Sequence, residues 1–273
     1  MAAGLPESVV FVGKPRYDAL VARAVRENWA ALPIGERTAR IGTALLGTPY
    51  VNYTLELDSR VEQPCANFNG MDCWTFFEIA LGTARALKLR ERPTSADLLR
   101  MIELDRYRNG KCTGSFVSRL HHLEDWSHDN ARRRLVEDLT PKLPGARLLR
   151  REMNYMATHW RSFRQLKANP SLIPQMARIE NDISRRGIYY IPKSQVSQIE
   201  RYLRSGDIVS IVTTWPGTYT SHVGLAVRDS RGTLRFMHAS RDARQVILDS
   251  RLSDYLARFS KHQGIMVARP RDL

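Results

Sequence analysis

The stretch Trp74 to Leu87 constrains this 273-residue chain more than any other, because its apolar residues occupy nearly the whole circumference of a helix, interrupted by Glu78, Arg85 and a few small residues. A helix that is apolar all round belongs inside a core, so other elements must pack around it. Asp72 suits the cap position ahead of it, which puts Cys73 in the first turn. That turn leaves backbone N–H groups unpaired and carries roughly half a positive charge. A free cysteine titrates near 8.5, and helix starts or a nearby imidazolium bring it to about 3.5–7.5. Cys73 therefore reads either as a nucleophile or as a small buried hydrophobe.

Two histidines weigh on that choice. Three β-rich segments follow one another near the C-terminus: Ser205 to Val212, Ser221 to Val227 with His222, and Leu234 to Ser240 with His238. Asp229-Ser230-Arg231-Gly232 between the last two has the composition of a hairpin turn. A loop of residues 229–231 sets His222 opposite His238, and a loop of 230–232 with Gly232 left-handed makes them diagonal neighbours. Either register puts both on one sheet face. Gly224 and Ala226 share that face and leave room for another element, and the helix start bearing Cys73 is the expected visitor. The chemistry so assembled is nucleophilic acyl transfer, with His222 taking the thiol proton and His238 orienting it.

The remaining pattern gives an α+β layout. Helices are expected over Tyr17 to Leu32, Gly35 to Leu46, from Cys73 onward, and from a Thr94 cap to about Arg106. Residues 111–140 read as mixed and loop-rich. Arg147 to Met176 reads as largely helical, broken at Pro170 and Pro174. Ile188 to Pro192, the three segments above, Val246 to Leu248 and Ile265 to Arg269 complete a mostly antiparallel sheet, with a short helix over Leu252 to Phe259. One domain is expected over 1–273, with N-terminal helices in 1–46 and an insertion at about 89–187.

A formal charge of +14 and a pI near 10.1 attract polyanions. The sequence shows no recognisable nucleic-acid module and no basic stripe interleaved with aromatics, so no specific nucleic-acid partner is expected. Arg132-Arg133-Arg134 is the densest basic run and reads as a solvated helix face. No segment supplies the ~20 apolar residues of a membrane span. Met1 to Lys14 lacks the basic, apolar and small-residue regions of a signal peptide. His121, His122 and His128 have no matching cysteine pair, so no metal is expected.

Gly47-Thr48-Pro49-Tyr50, Asp72-Cys73, Ser205-Gly206-Asp207-Ile208-Val209, His222-Val223-Gly224 and His238-Ala239 together resemble the NlpC-type papain-like hydrolases of bacterial peptidoglycan. Within that superfamily the chain resembles the N-acetylmuramoyl-L-alanine amidase-like family. Ser118-Arg119-Leu120-His121-His122 running into Asp125-Trp126, Glu137-Asp138-Leu139-Thr140, and the ending from Tyr255 to Arg269-Pro270 carry this narrower likeness.

The resemblance implies a papain-like core, in which the nucleophile-bearing helix packs on the sheet, and a cofactor-free amidase. It would cut between N-acetylmuramic acid and L-alanine in peptidoglycan fragments, in a periplasmic or otherwise extracytoplasmic location. It assigns Cys73 as nucleophile, His222 as base and His238 as orienting residue. Tyr50 would contact substrate or the developing oxyanion, and Asp72 would recognise a polar substrate group or simply cap the helix. Substrate choice is expected in the insertion, where Arg119, His121 and Trp126 are candidates: an arginine can hold a carboxylate, and an indole suits a sugar ring. Arg119→Ala is then expected to raise KM or lower kcat/KM. An oxidising compartment would also permit a Cys65–Cys112 bridge, leaving Cys73 free. A stem-peptide endopeptidase and a catalytically silent envelope-binding protein are the alternative readings.

Overall fold

A computed structural model describes residues 5–273; Met1–Gly4, the start of the Met1 to Lys14 segment that lacks signal-peptide regions, lie outside the described residues. Seven helices organise the fold: α1 (Lys14–Arg26), α2 (Ile34–Ala44), α3 (Cys73–Leu89), α4 (Ser95–Arg106), α5 (Leu123–Arg132), α6 (Ile173–Arg186) and α7 (Leu252–Ala257). Shorter helical turns lie between them. Eight strands, β1 (Val136–Asp138), β2 (Arg147–Leu149), β3 (Ile188–Pro192), β4 (Ile208–Thr213), β5 (Thr220–Arg228), β6 (Leu234–Ser240), β7 (Gln245–Arg251) and β8 (His262–Pro270), form one sheet. Its order is β2-β3-β8-β4-β5-β6-β7, with β1 paired to β8, and every pairing is antiparallel. The α+β layout read from the sequence is the observed one.

The apolar helix α3 sits in the middle, as its composition requires. Phe76 to Leu87 are buried throughout, between α2 and α4 and against Val223, Leu225, Val227 and Met237 of β5 and β6. Its two charged interruptions face partners on α4: Glu78 accepts from Arg106 at 2.7 Å, and Arg85 pairs with Asp105. Burial pushes the Glu78 carboxyl up to about 7 against the pull of Arg106. The charges therefore fix the register between two helices inside the core. The other sheet face has its own apolar layer, in which Val209, Ile211, Ala226 and Phe236 pack on Leu252, Tyr255 and Leu256 of α7.

Several expected elements differ. The first long helix ends at Arg26, because Asn28 takes a left-handed conformation (φ 51°) before a single turn at Trp29–Ala31. Arg147–Leu149 is an edge strand on β3 rather than helix. Pro174 lies in the first turn of α6 instead of breaking a helix, since proline in a first turn removes no intrahelical hydrogen bond. The Cys65–Cys112 bridge is absent: all three cysteines are free thiols. Cys65 receives a hydrogen bond from Arg106 at 3.4 Å, and the Cys112 thiol donates to the Glu62 carbonyl at 3.3 Å. No helix among the described residues is long and apolar enough to cross a membrane.

Candidate active site

Cys73 is the first residue of α3 and is held there by a reciprocal cap. The Asp72 carboxylate accepts from the Thr75 N–H (2.8 Å) and hydroxyl (2.9 Å), and the Thr75 hydroxyl accepts from the Asp72 N–H at 3.0 Å. Asp72 is thus the cap that its sequence position suggested, with Thr54 at 3.3 Å as a further donor. The expected visitor reaches the sheet from the other side. The body of α3 packs on Val223, Leu225 and Val227, whereas His222, Gly224 and Ala226 face α7. Gly224 is small because of its own sheet: a Cβ there would meet the Met237 carbonyl oxygen and two Phe236 ring atoms at 2.7 and 2.8 Å.

The strands open where the thiol arrives. Residues 225–228 of β5 pair with 234–237 of β6, and the ladder stops at Leu225 opposite Met237. Ala226 exchanges hydrogen bonds with the Gly206–Asp207 segment on the β4 side, so the period of two directs the Val223 N–H toward β6. With no ladder partner there, that N–H favours the charged form of the neighbouring Cys73 thiol. The nucleophile candidate therefore abuts the backbone of the residue that follows His222.

Contrary to the thiolate expected from the helix position, Cys73 rests as a thiol. Burial and the neighbouring Asp72 carboxylate push it up to about 12, outweighing the N–H groups of Val223, Trp74 and Cys73 itself. Desolvation holds His222 well below the ordinary histidine range, helped by charge on His238 and His262.

The histidines are diagonal neighbours, as the 230–232 loop requires, with Asp229 N–H bonded to Thr233 O at 3.0 Å and Gly232 at φ +80°. His222 Nε2 lies 2.7 Å from His238 Nδ1, and His238 Nε2 lies 3.3 Å from Asp249 Oδ2. Sequence reading missed Asp249. It follows Leu248, where the expected strand ended, at a bulge between the Arg235–Arg251 and Met237–Leu248 pairs, and such a bulge re-aims a side chain. Burial raises its carboxyl, but hydrogen bonds from Arg258 (2.7 Å), the Ser250 N–H (2.6 Å) and His238 prevail and bring it to about 2.

An ionised Asp249 accepts from His238 Nε2–H, which leaves His238 Nδ1 to accept from His222 Nε2–H. The lone pair of His222 is then on Nδ1, free to take a proton. Phe236 stacks on His238 at 4.8 Å and Tyr255 meets it edge-on at 5.1 Å, fixing the ring plane. His222, His238, Asp249 and Tyr255 line a cleft of about 660 Å³ with Trp215, Arg241, Arg258, Lys261 and His262 on its walls. Among the described residues no three His, Cys, Asp or Glu side chains converge as metal ligands.

The Gly47–Tyr50 segment closes the site's other flank. It runs along the edge of β7, with Gly47 N–H to Val246 O (2.9 Å), Val246 N–H to Thr48 O (2.8 Å) and Tyr50 N–H to Arg244 O (2.8 Å). Tyr50 then bridges to Met71, two residues before the thiol. Burial, with the nearby Cys73 and Asp72, raises its hydroxyl to about 12, so it is a hydrogen-bond donor at neutral pH.

A family model for N-acetylmuramoyl-L-alanine amidase-like proteins matches residues 40–265. The chain belongs to that family. It is similar to an N-acetylmuramoyl-L-alanine amidase structure from Bacteroides uniformis (29% identity, 88% of this chain and 99% of that one, TM-score 0.80). A structure described as a putative xylanase from Bacteroides fragilis is similar too (33% identity, 84% and 98%, TM-score 0.76). A Legionella pneumophila protein at 21% identity shares the fold over 97% of both chains, with TM-score 0.68. No curated protein matches the chain.

In this amidase-like chain the three insertion residues expected to touch substrate lie elsewhere or inward. Trp126 is fully buried, edge-on to Phe77 at 5.1 Å, and presents no face to a sugar. Arg119 is buried, with Nε 3.3 Å from Glu62 Oε1 and its guanidinium over Phe116, so it pairs internally. The half-buried His121 packs on Phe116 at 4.0 Å and bonds its carbonyl through Nε2 at 2.7 Å. Asp125 of the same signature joins Arg108 (2.6 Å) and Arg186 (2.8 Å), tying α5 to α6. The signature serves packing around α5, and none of Arg119, His121 and Trp126 lines the cleft at His222.

Proposed function

We propose that this protein is a cysteine amidase that hydrolyses the amide between N-acetylmuramic acid and L-alanine in peptidoglycan fragments, acting outside the cytoplasm. Membership of the amidase-like family supports a peptidoglycan amidase role. The observation that carries the chemistry is the line Asp249–His238–His222, which orients a base one residue before Val223, whose N–H acts on the Cys73 thiol.

In the proposed reaction His222 Nδ1 takes the thiol proton as sulfur attacks the lactyl carbonyl carbon of the muramoyl group. The imidazolium so formed shares its Nε2 proton with His238, and Asp249 balances the charge. The oxyanion is met by the Cys73 N–H at the helix start and by the Tyr50 hydroxyl. The C–N bond then breaks, His222 gives its proton to the departing L-alanine nitrogen, and a muramoyl thioester remains. Water attacks that thioester, passing a proton through His222 to the sulfur as N-acetylmuramic acid leaves. Because thiol and imidazole both rest neutral, proton transfer accompanies attack rather than preceding it.

Mass spectrometry of muropeptides incubated with the protein tests the bond assignment. Free muramic acid plus a peptide beginning with L-alanine is expected; intact muramoyl-dipeptide would instead identify a stem-peptide endopeptidase.

A further inference from the structure

The loop between β4 and β5 presents an indole to the cleft, and several of its backbone groups are fastened while that side chain is left free. Trp215 is 51% exposed and lines the same cavity as His222 and His238. Its own backbone is tied down from the insertion. The Arg151 guanidinium donates to the carbonyls of Thr213 (2.7 Å), Trp215 (3.1 Å) and Thr218 (2.7 Å), and to Gln263 at 2.9 Å. The Arg151 N–H donates to the Tyr219 hydroxyl, which donates back to the Arg151 carbonyl. Gly217 O accepts from the N–H groups of Asn154 (3.2 Å) and Tyr155 (3.1 Å), and Thr214 N–H donates to Lys261 O at 2.9 Å.

Such fastening normally serves a core, yet the side chain at its centre packs into none. Ordering this loop before binding removes a cost that ligand binding would otherwise meet. A large flat apolar surface carried on a fastened backbone at the rim of a reactive cleft is suited to a ligand with a flat C–H face.

We propose that Trp215 is the platform on which the muramoyl sugar ring stacks, and that Arg151 is the positioning residue that holds it. This rests on the amidase reading for the identity of the ligand. Within a muropeptide the sugar is the part with an extended C–H face, whereas the stem peptide offers amides and carboxylates. Recognition of the sugar thus falls to the β4–β5 loop, with the insertion acting through Arg151 rather than through Trp126.

The test measures binding, so it stands apart from turnover. In a Cys73→Ala background, titration calorimetry compares N-acetylmuramoyl-L-alanyl-D-isoglutamine with the same dipeptide carrying a lactoyl group and no sugar. Adding Trp215→Ala is expected to weaken the muramoyl ligand roughly tenfold and to erase most of the discrimination between the two ligands. Trp215→Phe should restore most of it. Arg151→Ala should reduce the same discrimination and, in otherwise unsubstituted enzyme, raise KM for the muramoyl substrate more than it lowers kcat. Undiminished muramoyl affinity in the Trp215→Ala protein overturns the proposal, as does failure of the Cys73→Ala protein to bind the muramoyl ligand. Should the unsubstituted protein leave the amide intact while sugar binding depends on Trp215, the amidase reading falls and the platform stands.

Discussion

His222 Nε2 and His238 Nδ1 lie 2.7 Å apart although their residues are not directly paired across the hairpin, because the ladder between their strands has already ended at Leu225 and Met237. The same opening admits the Cys73 thiol to the Val223 N–H. One interruption of the sheet therefore lets the two histidines meet and the nucleophile approach the strand, while Asp249 sets the tautomer.

Removing the relay should lower kcat through the tautomer rather than through binding. His238→Ala is expected to cut kcat by about 10²-fold with KM little changed, within the usual range for general-base assistance. Asp249→Ala should act in the same direction, since it frees His238 to turn the wrong nitrogen toward His222. Steady-state kinetics on muramoyl-L-alanine substrates checks both; a loss confined to KM would assign these residues to binding instead.

The pH dependence follows from two opposite shifts. His222 is held well below the ordinary histidine range, so it is neutral and competent at neutral pH and is lost as a base only as pH falls through that lowered value. Cys73 is raised to about 12, so little thiolate forms at neutral pH. We expect kcat/KM to stay level from about pH 6 to about pH 9. Alkylation of Cys73 by iodoacetamide should quicken about tenfold per pH unit across roughly pH 7–9. An alkylation rate already at its plateau near neutrality would show a resting thiolate and contradict this description.

Arg119 and Trp126 should register in stability rather than in KM. Trp126→Ala opens a cavity beside Phe77 and should cost about 3–5 kcal/mol. Arg119→Ala strips the buried Glu62 carboxyl of its cation and should cost about 3–5 kcal/mol as well. Denaturant unfolding measures both. A folded Arg119→Ala protein with undiminished stability and a raised KM would return the residue to the substrate site.

How far the sequence went can be seen in these same residues. The apolar circumference of α3, the Asp72 cap and the turn at Gly232 were legible because each is local. Asp249 was hidden because a bulge is a property of two strands together, and the alternation of either strand alone does not reveal it. The side from which α3 approaches was misread for a similar reason: Gly224 looks like space for a helix, but Phe236 of the neighbouring strand fills it. Arg119 and Trp126 have side chains suited to a ligand, and only their tertiary partners show them turned inward.

Gly224→Ala tests the tightness of that fit. Its new Cβ would press on the Met237 carbonyl and the Phe236 ring, which carries His238 on its face. A loss of about 1–3 kcal/mol is expected, together with a lower kcat as the two histidines separate. Thermal unfolding and kinetics on the same preparation check it; parental values in both would show that the strands yield freely.

The central claim is that Cys73 is the nucleophile, and it is tested most directly by incubating purified muropeptides with the parent protein and with its Cys73→Ala variant and following release of muramic acid. Release by the parent and none by the variant is the expected result. Release by both at similar rates would contradict a thiol mechanism at this helix start.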